Sequence, residues 1–406
     1  MKHGWKECNL GDVITSNPRS ISKDYPHKVI QYLDTGSITR GQLDGYQEFP
    51  LDKVPSRAQR LVKENNIIYS LVRPIQRHYG YIVNPHENLV VSTGFSVIDV
   101  DEKEADPKFV YYFLTSYETV ETLDIIAEAS TSAYPSLRPA DIEKLDILLP
   151  PLPAQRAIAA VLSSLDDKID LLHRQNKTME SLVRALFMRL FTCDIEKIKL
   201  GKLGDLIEVT FGGEWGKEVS EGEFVKEVQC IRGTDIADMQ IGLATRAPIR
   251  FVKEKKFRNI EPTDGDLLIE VSGGTDDQST GRTIYMNNDV KELFSYPLVF
   301  SNFCRLLRLK RREYMFYLYC YINMLYDQGD FFNLENGSSG IKNFDYKAFL
   351  FELEYDIHSE ETVAKFNKEV EPLFGKINNN KSQIKNLIRL RDTLLPKLMS
   401  GEISLS

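Results

Sequence analysis

Two basic clusters are the residues of this chain best suited to gripping a polyanion. Between Lys53 and Arg77 stand Lys53, Arg57, Arg60, Lys63, Arg73 and Arg77 against one anion, Glu64, a local net of +5. Between Arg246 and Arg258 stand Arg246, Arg250, Lys253, Lys255, Lys256 and Arg258 against Glu254, again +5. Cationic heads at this density hold phosphates by charge and hydrogen bonds. The formal charge of −8 points the other way, but a local basic face is enough to bind DNA within an acidic protein. A solvated face balancing the acidic chain explains either cluster alone; their matching placement, shown below, favours DNA contact.

Reading base edges needs polar side chains that reach into a groove. The candidates are two polar loops, one carrying Arg77, His78 and Tyr79, the other running from Gln278 to Arg282. An ordinary hairpin tip is the plain alternative for each. A third run, Arg305, Arg308, Lys310, Arg311 and Arg312, carries less weight, because the first half has DVDEKE at the corresponding place.

Catalytic signatures are missing. FGGEWGKEV is one residue too short between Gly212 and Gly216 for a phosphate loop, and Glu218 stands where a Mg²⁺-binding hydroxyl is needed. SGGTDDQSTGR opens no helix of the dinucleotide-binding kind, and no H-E-x-x-H or G-x-S-x-G occurs. Nor is there the Asn-Pro-Pro-aromatic tetrapeptide that grips a flipped adenine: Asn17-Pro18 and Asn84-Pro85 are followed by Arg and His. Acidic pairs such as Asp166-Asp167 and Asp276-Asp277 read as solvated. Cys8, Cys193, Cys230, Cys304 and Cys320 are scattered and odd in number, suggesting neither a disulfide framework nor a zinc site.

The elements that would position these residues are duplicated. WKECNLGDVI is echoed by KIKLGKLGDLI, so that Gly11-Asp12 matches Gly204-Asp205. HKVIQYLD then corresponds to KEVQCIRG, ENNIIYSLVRP to DGDLLIEVSGG, and VVSTGFSVIDV with FVYYFLTS to LVFSNFCRLLRL with YMFYLYCYI. Last come ASTSAYPSLRPADIEKLDILLP and NGSSGIKNFDYKAFLFELEYDI, each running into a long helical stretch. The same order in both halves implies a duplication, and the two basic clusters fall between the same landmarks.

Each half is followed by a helix with a 3.5-residue apolar repeat. The first carries Ile158, Leu162, Leu165, Ile169, Leu172, Asn176, Met179, Val183, Leu186 and Leu190; the second carries Val363, Phe366, Val370, Leu373, Ile377, Asn380, Ile384, Leu387, Arg391, Leu394 and Leu398. Setting Asn176 against Asn380 in an antiparallel pair makes facing position numbers sum to 556, and every other seam position then meets an apolar partner except Leu165, which meets Arg391. The Arg391 stem can cover the seam while its head reaches water. A buried amide pair lowers stability but fixes register. Two unrelated amphipathic helices are the plain alternative, and Pro372 predicts a kink or a second helix in two segments. From Ile158 to Leu190 the helix is about 48 Å long at about 1.5 Å per residue, enough to set two modules about one DNA turn, roughly 34–36 Å, apart.

Length and composition agree with this layout. A chain of 406 residues with 42% hydrophobic and 27% charged residues holds two or three ordinary globular domains. No apolar run approaches the roughly 20 residues of a membrane span, and MKHGWKECNL lacks a signal-peptide core. The expected location is cytoplasmic, with no membrane partner.

LPPLPAQRAIAAVLSSLDDKIDLLHRQNKTMESLVRALFMRLF, from Leu149, closely resembles the central conserved region of the specificity subunits of type I restriction-modification enzymes. RDTLLPKLMSGEI, from Arg391, resembles their C-terminal conserved end. The resemblance implies an α+β fold with two repeated α/β target-recognition domains, 1–150 and 193–357, separated by two long helices, 151–192 and 358–406, forming an antiparallel coiled coil. It implies a non-catalytic subunit that reads a bipartite, asymmetric site in double-stranded DNA and docks methyltransferase subunits and, through them, restriction and translocase subunits. S-adenosylmethionine, ATP and Mg²⁺ would then reside in those partners, with no cofactor in this chain. YDIHSEETVAKF lacks the PLPAQR opening of the first helix, so the second helix start departs from the first. A stand-alone methyltransferase or nuclease with degenerate motifs, and a coiled-coil scaffold without DNA binding, are the competing readings.

Overall fold

The computed structural model describes residues 4–405 except 44, 131–133, 193–197, 244–246, 276–277 and 338–340. Cys193, Arg246, Asp276 and Asp277 therefore lie outside the described residues. The chain divides into two compact units, Met1–Asp167 with Arg389–Ser406, and Lys168–Ile388. The division cuts through both long helices rather than falling at their ends. Ile158, Leu162, Leu395 and Leu398 belong to the core of the first unit. Val183, Phe187, Phe191, Val363 and Phe366 belong to that of the second.

In the first unit, one antiparallel sheet runs in the order Ile14–Ser16, Phe95–Val100, Ile67–Ser70, Tyr79–Tyr81. Every residue of Ile67–Ser70 is buried, because Ile67 and Tyr69 face one core and Ile68 another. A strand covered on both faces reads as a continuous apolar run, as NIIYSLV does. The second sheet runs Gln47–Pro50, Val29–Leu33, Leu89–Ser92, Ala58–Leu61, with the middle pair parallel. Helices Pro107–Thr115 and Tyr117–Glu128 follow, started by Asp106 and Ser116, whose side chains accept the Phe109 and Thr119 amide N–H groups.

The second unit repeats this topology. Its antiparallel sheet runs Ile207–Gly212, Cys304–Leu309, Leu267–Glu270, Thr283–Tyr285, and its other sheet Ile249–Lys253, Phe224–Ile231, Leu298–Phe300, with the last two parallel. The halves differ after the outer strand: the first continues into the strand Ala58–Leu61, paired with Leu89–Ser92, and the second into the helix Glu254–Ile260, which packs on Phe224–Ile231 and Ile249–Lys253. Each half is closed by its own antiparallel clasp, Lys6–Asn9 on Asp146–Leu149 and Ile198–Gly201 on Tyr355–His358.

The central helix spans Leu152–Thr192 and the C-terminal helix Glu360–Met399. Their openings differ as the sequence suggests. Gln155, 1% exposed, anchors the first: its carbonyl accepts the Asp106 amide at 2.8 Å and its NH₂ donates to the Pro150 carbonyl at 2.9 Å. Ser359 caps the second, its hydroxyl accepting the Thr362 N–H at 3.3 Å. Buried His358, just before it, contacts the Phe191 carbonyl through Nε2 at 2.9 Å and the Tyr317 hydroxyl through Nδ1 at 3.1 Å. The two contacts require Nε2 to carry the proton, since a carbonyl only accepts.

Three expectations about the helices are corrected. The C-terminal helix is continuous through Pro372, which stands on the exposed face, where water can satisfy the carbonyl that loses its N–H partner. Near its C-terminal end the central helix buries Phe187 and Phe191 while Leu186 and Leu190 are only half-buried. The aromatic rings pack on Phe366 at 5.6 and 5.2 Å and on Tyr317, so the packing there follows the globular core rather than the heptad. The Arg391 head is also not in open water: it donates to Asp166 Oδ1 at 2.8 Å, and Tyr112 donates to the other oxygen at 2.7 Å. Burial works against that charge, but Asp166 and Asp392 outweigh it and hold the guanidinium above its ordinary pKa.

Candidate DNA interface and helix register

In the first unit the structure gathers part of the basic cluster at one end of the sheets. The turn after Ser92 ties it together: Thr93 N–H donates to the Arg57 carbonyl and Leu71 N–H to the Gly94 carbonyl, both at 2.8 Å. Exposed Arg57 is thereby brought beside the loop Leu71–Tyr79. Lys63 belongs to the other end, where its ammonium pairs with Asp99 at 2.8 Å. Arg60 lies between them, half-buried, with one guanidinium nitrogen 3.4 Å from the Ser20 hydroxyl.

Within the loop, Arg73 and Arg77 flank a single 3₁₀ turn, Pro74–Gln76, and both adopt left-handed backbone at φ 45° and 59°. His78 is oriented by its Nδ1, 2.7 Å from the Ile38 carbonyl and 3.2 Å from the Thr39 hydroxyl. Tyr79 is a correction. It is 6% exposed and stacks on Tyr69 at 5.8 Å, with burial raising its pKa, so it belongs to the core rather than to a groove-facing edge.

The second cluster is distributed differently. Lys253 faces Phe224, at the far end of Phe224–Ile231 from Ile231, about 23 Å of strand away. Ser301 N–H bonds Ile231 O, and Val271 N–H bonds Phe303 O, so the loop carrying Gln278 lies at the Ile231 end. Lys253, Lys255, Lys256 and Arg258 are thus apart from Gln278. Lys253 pairs with Glu223 and Arg258 with Glu254; Lys255 and Lys256 carry no ion pair among the described residues. Arg250 lies over the Trp215 ring at 4.4 Å and pairs with Glu218 at 3.0 Å. Gln278 is exposed.

Arg282 is the second correction. Its Nε donates to Glu270 Oε2 at 2.8 Å and its Nη2 to Oε1 at 2.6 Å, with Glu270 1% and Arg282 14% exposed. These bonds hold the guanidinium above its usual pKa against the opposing effect of burial. No room remains for another residue there: a Cβ on Gly233 or Gly273 would stand 2.5 or 2.7 Å from Glu270 Oε1. In the third run Arg308 is occupied by Asp266, Arg311 by Glu360 and Arg312 by Asp264, while the Lys310 ammonium donates to the Asp205 carbonyl and Arg305 lies over the Tyr346 ring at 4.8 Å.

The amides Asn176 and Asn380 meet in the second unit, Asn380 Nδ2 donating to Asn176 Oδ1 at 2.9 Å, with 5% and 0% exposure. Ile169, Leu172 and Ile384 pack together on the Asp170 side of this contact. Beside it Lys381 is 3% exposed, its stem under Gly242, a left-handed residue that closes the helix Gly233–Ile241. Burial pushes the Lys381 ammonium down to about 8, with Glu180 opposing.

Sequence reasoning missed the aromatic partners of the cations. Tyr134 and Tyr117 lie under Arg73 and Arg77 at 5.9 and 5.6 Å, and nothing in the local sequence signals contacts so distant along the chain. Among the described residues, no group of three or more His, Cys, Asp or Glu side chains is placed to hold a metal ion. No helix among them is long and apolar enough to cross a membrane.

Comparison with known proteins matches residues 2–181 to the type I restriction modification DNA specificity domain. The type I restriction enzyme HindI specificity subunit of Haemophilus influenzae is 31% identical over 188 residues, 46% of this chain and 40% of that one. The MjaIX specificity subunit of Methanocaldococcus jannaschii is 26% identical over 360 residues, 85% and 79% of the two chains. In fold, the chain is similar to the crystal structure of a type I restriction-modification system S subunit from M. genitalium, with a TM-score of 0.54, 18% identity, and coverage of 98% and 96%. The two repeated α/β domains and the two long helices are accompanied by similarity to the specificity subunits of type I restriction enzymes, residues 2–181 matching the DNA specificity domain.

Proposed function

We propose that this chain is the DNA-reading subunit of a type I restriction-modification assembly and catalyses no step itself. Each globular half reads one part of a bipartite, asymmetric site. The observation that carries this is the duplicated two-sheet topology, in which the connection between corresponding strands, residues 71–78 in the first half and, among the described residues, 271–275 and 278–282 in the second, starts from the same sheet end but holds different side chains. In the first half Arg57, beside the loop, grips phosphate and fixes position; in the second Lys253, Lys255, Lys256 and Arg258 do so away from the loop. Loop side chains meet base edges in both. The antiparallel helices carry the two readers and offer surface to methyltransferase subunits, which recruit the restriction and translocase subunits. Adenine methylation with S-adenosylmethionine and cleavage driven by ATP and Mg²⁺ belong to those partners, and the assembly works in the cytoplasm.

Methylome sequencing of cells with and without the chain tests this. A two-part methylated motif that disappears with the chain is expected; identical methylomes would refute the proposal. The purified chain alone should transfer no methyl group from labelled S-adenosylmethionine, and turnover would point to a self-sufficient enzyme. Titrating salt in a DNA-binding assay should lower affinity steeply, as counterion release demands; weak or absent salt dependence would favour a scaffold.

A further inference from the structure

We infer that the turn Arg73–Arg77 reads guanine in the half-site met by the first unit, with Tyr117 and Tyr134 as positioning residues for the two guanidinium groups. This rests on the DNA-reading function proposed above and adds a base and the residues that choose it.

The turn is held at both ends. Arg73 N–H donates to the Pro135 carbonyl at 3.1 Å, Arg40 N–H to the Arg77 carbonyl at 2.8 Å, and inside the turn Ile75 N–H donates to Asp124 Oδ1 at 3.1 Å. Both arginines sit in left-handed backbone that non-glycine residues rarely adopt. Such conformations persist where the surroundings over-determine them and gather at functional sites. Here backbone contacts fix both Cα positions, so the side chains leave a rigid base.

Each side chain then lies over an exposed ring, Arg77 over Tyr117 (61% exposed) and Arg73 over Tyr134 (64% exposed). Neither arginine forms an ion pair among the described residues, whereas Arg250, Arg258, Arg282, Arg308, Arg311, Arg312 and Arg391 all do. The Arg77 Nε is buried without a hydrogen-bond partner among the described residues, which leaves the Nη groups as its donors, and a guanidinium held over a ring loses less freedom on meeting a partner than a mobile cation does. Its shape matches the O6 and N7 acceptors of guanine, the commonest specific contact in the major groove. Adjacent Arg57 is exposed and placed to hold the backbone nearby. In the second unit the loop arginine Arg282 is bound to Glu270, and Arg305, which lies over the Tyr346 ring at 4.8 Å, stands on the strand Cys304–Leu309 rather than in the loop, so the loop device belongs to the first unit.

The test is the methylated motif of cells expressing the full chain with its partner subunits, wild type against Arg77→Ala, Arg73→Ala, Tyr117→Leu and Tyr117→Phe. Arg77→Ala should relax one G·C position in one half-site, lowering discrimination there by about 5- to 150-fold, and leave the other half-site unchanged. Tyr117→Leu should relax the same position in part, while Tyr117→Phe, which keeps the ring, should not. If Arg77→Ala abolishes methylation, Arg77→Lys decides, because it retains charge and stem without the fork. An unchanged motif in Arg77→Lys, relaxation at a position other than G·C, or equal weakening at every sequence would overturn the inference. Absence of any motif in the wild type would instead overturn the function on which it rests.

Discussion

Removing the Arg282 guanidinium should damage folding before it damages DNA reading. In Arg282→Met the Glu270 carboxylate, 1% exposed, loses bonds of 2.8 and 2.6 Å to its only cationic partner among the described residues. Breaking one side of a buried ion pair costs about 3–5 kcal/mol, because a charge is left without compensation. With a urea dependence of about 2–3 kcal/mol per molar, the unfolding midpoint of the second unit should fall by about 1–2 M. The chain has two tryptophans, Trp5 in the first unit and Trp215 in the second, so Trp215 fluorescence in a Trp5→Phe background isolates the relevant transition. Glu270→Leu with Arg282→Met should recover most of the loss, since apolar replacement of a whole pair is often neutral or better. An unmoved midpoint in Arg282→Met, together with altered DNA specificity, would show that Arg282 is a reader and that its pairing has been misjudged.

Three further outcomes are expected. Asn176→Leu alone should destabilise the second unit by about 1–3 kcal/mol by leaving the Asn380 amide buried without its partner, whereas Asn176→Leu with Asn380→Leu should match or exceed wild type in thermal unfolding; equal losses in single and double variants would contradict the pairing. Lys381, depressed to about 8 in the fold from 10.5, makes the unfolded chain hold a proton the folded one lacks between those values, so stability should rise by up to about 3 kcal/mol from pH 8 to 10.5. Lys381→Met should abolish that rise, and a wild-type profile matching the variant's would refute it. Phe187→Ala should cost about 3–5 kcal/mol and Leu186→Ala markedly less, the reverse of what a strict heptad predicts; guanidinium melts of both variants settle the order.

The duplication was legible because it lives in strand order and turn chemistry, which the two halves share: Gly11-Asp12 and Gly204-Asp205 are both the second and third residues of the 3₁₀ turns that follow the first clasp strands. The long helices were legible through their repeat, and the sum of 556 brings Asn176 to Asn380 because an antiparallel register is set by a single pair. Where globular cores intrude, the repeat stops deciding: Phe187 and Phe191 turn toward Tyr317 and Phe366 because aromatic burial there outweighs the seam. Pro372 looked like a break because sequence does not disclose that its face is wet. The basic clusters were visible as charge counts, but a count cannot separate Arg282, held by Glu270, from Arg77, which lies over the Tyr117 ring and has no ion pair among the described residues. That difference depends on residues 12 and 40 positions away in the chain, and on which side of a strand each one faces.

The two clasps carry a consequence for how such a molecule can change. Lys6–Asn9 lies beside Asp146–Leu149, and Ile198–Gly201 beside Tyr355–His358, so the chain enters and leaves each half through neighbouring strands. The second half behaves like a cartridge: its connections to the central and the C-terminal helix meet at one short antiparallel seam. Another cartridge with the same paired ends could be spliced in without rerouting the helices. Under the proposed function, new DNA targets are accessible by exchange of such a half as well as by single substitutions in a loop.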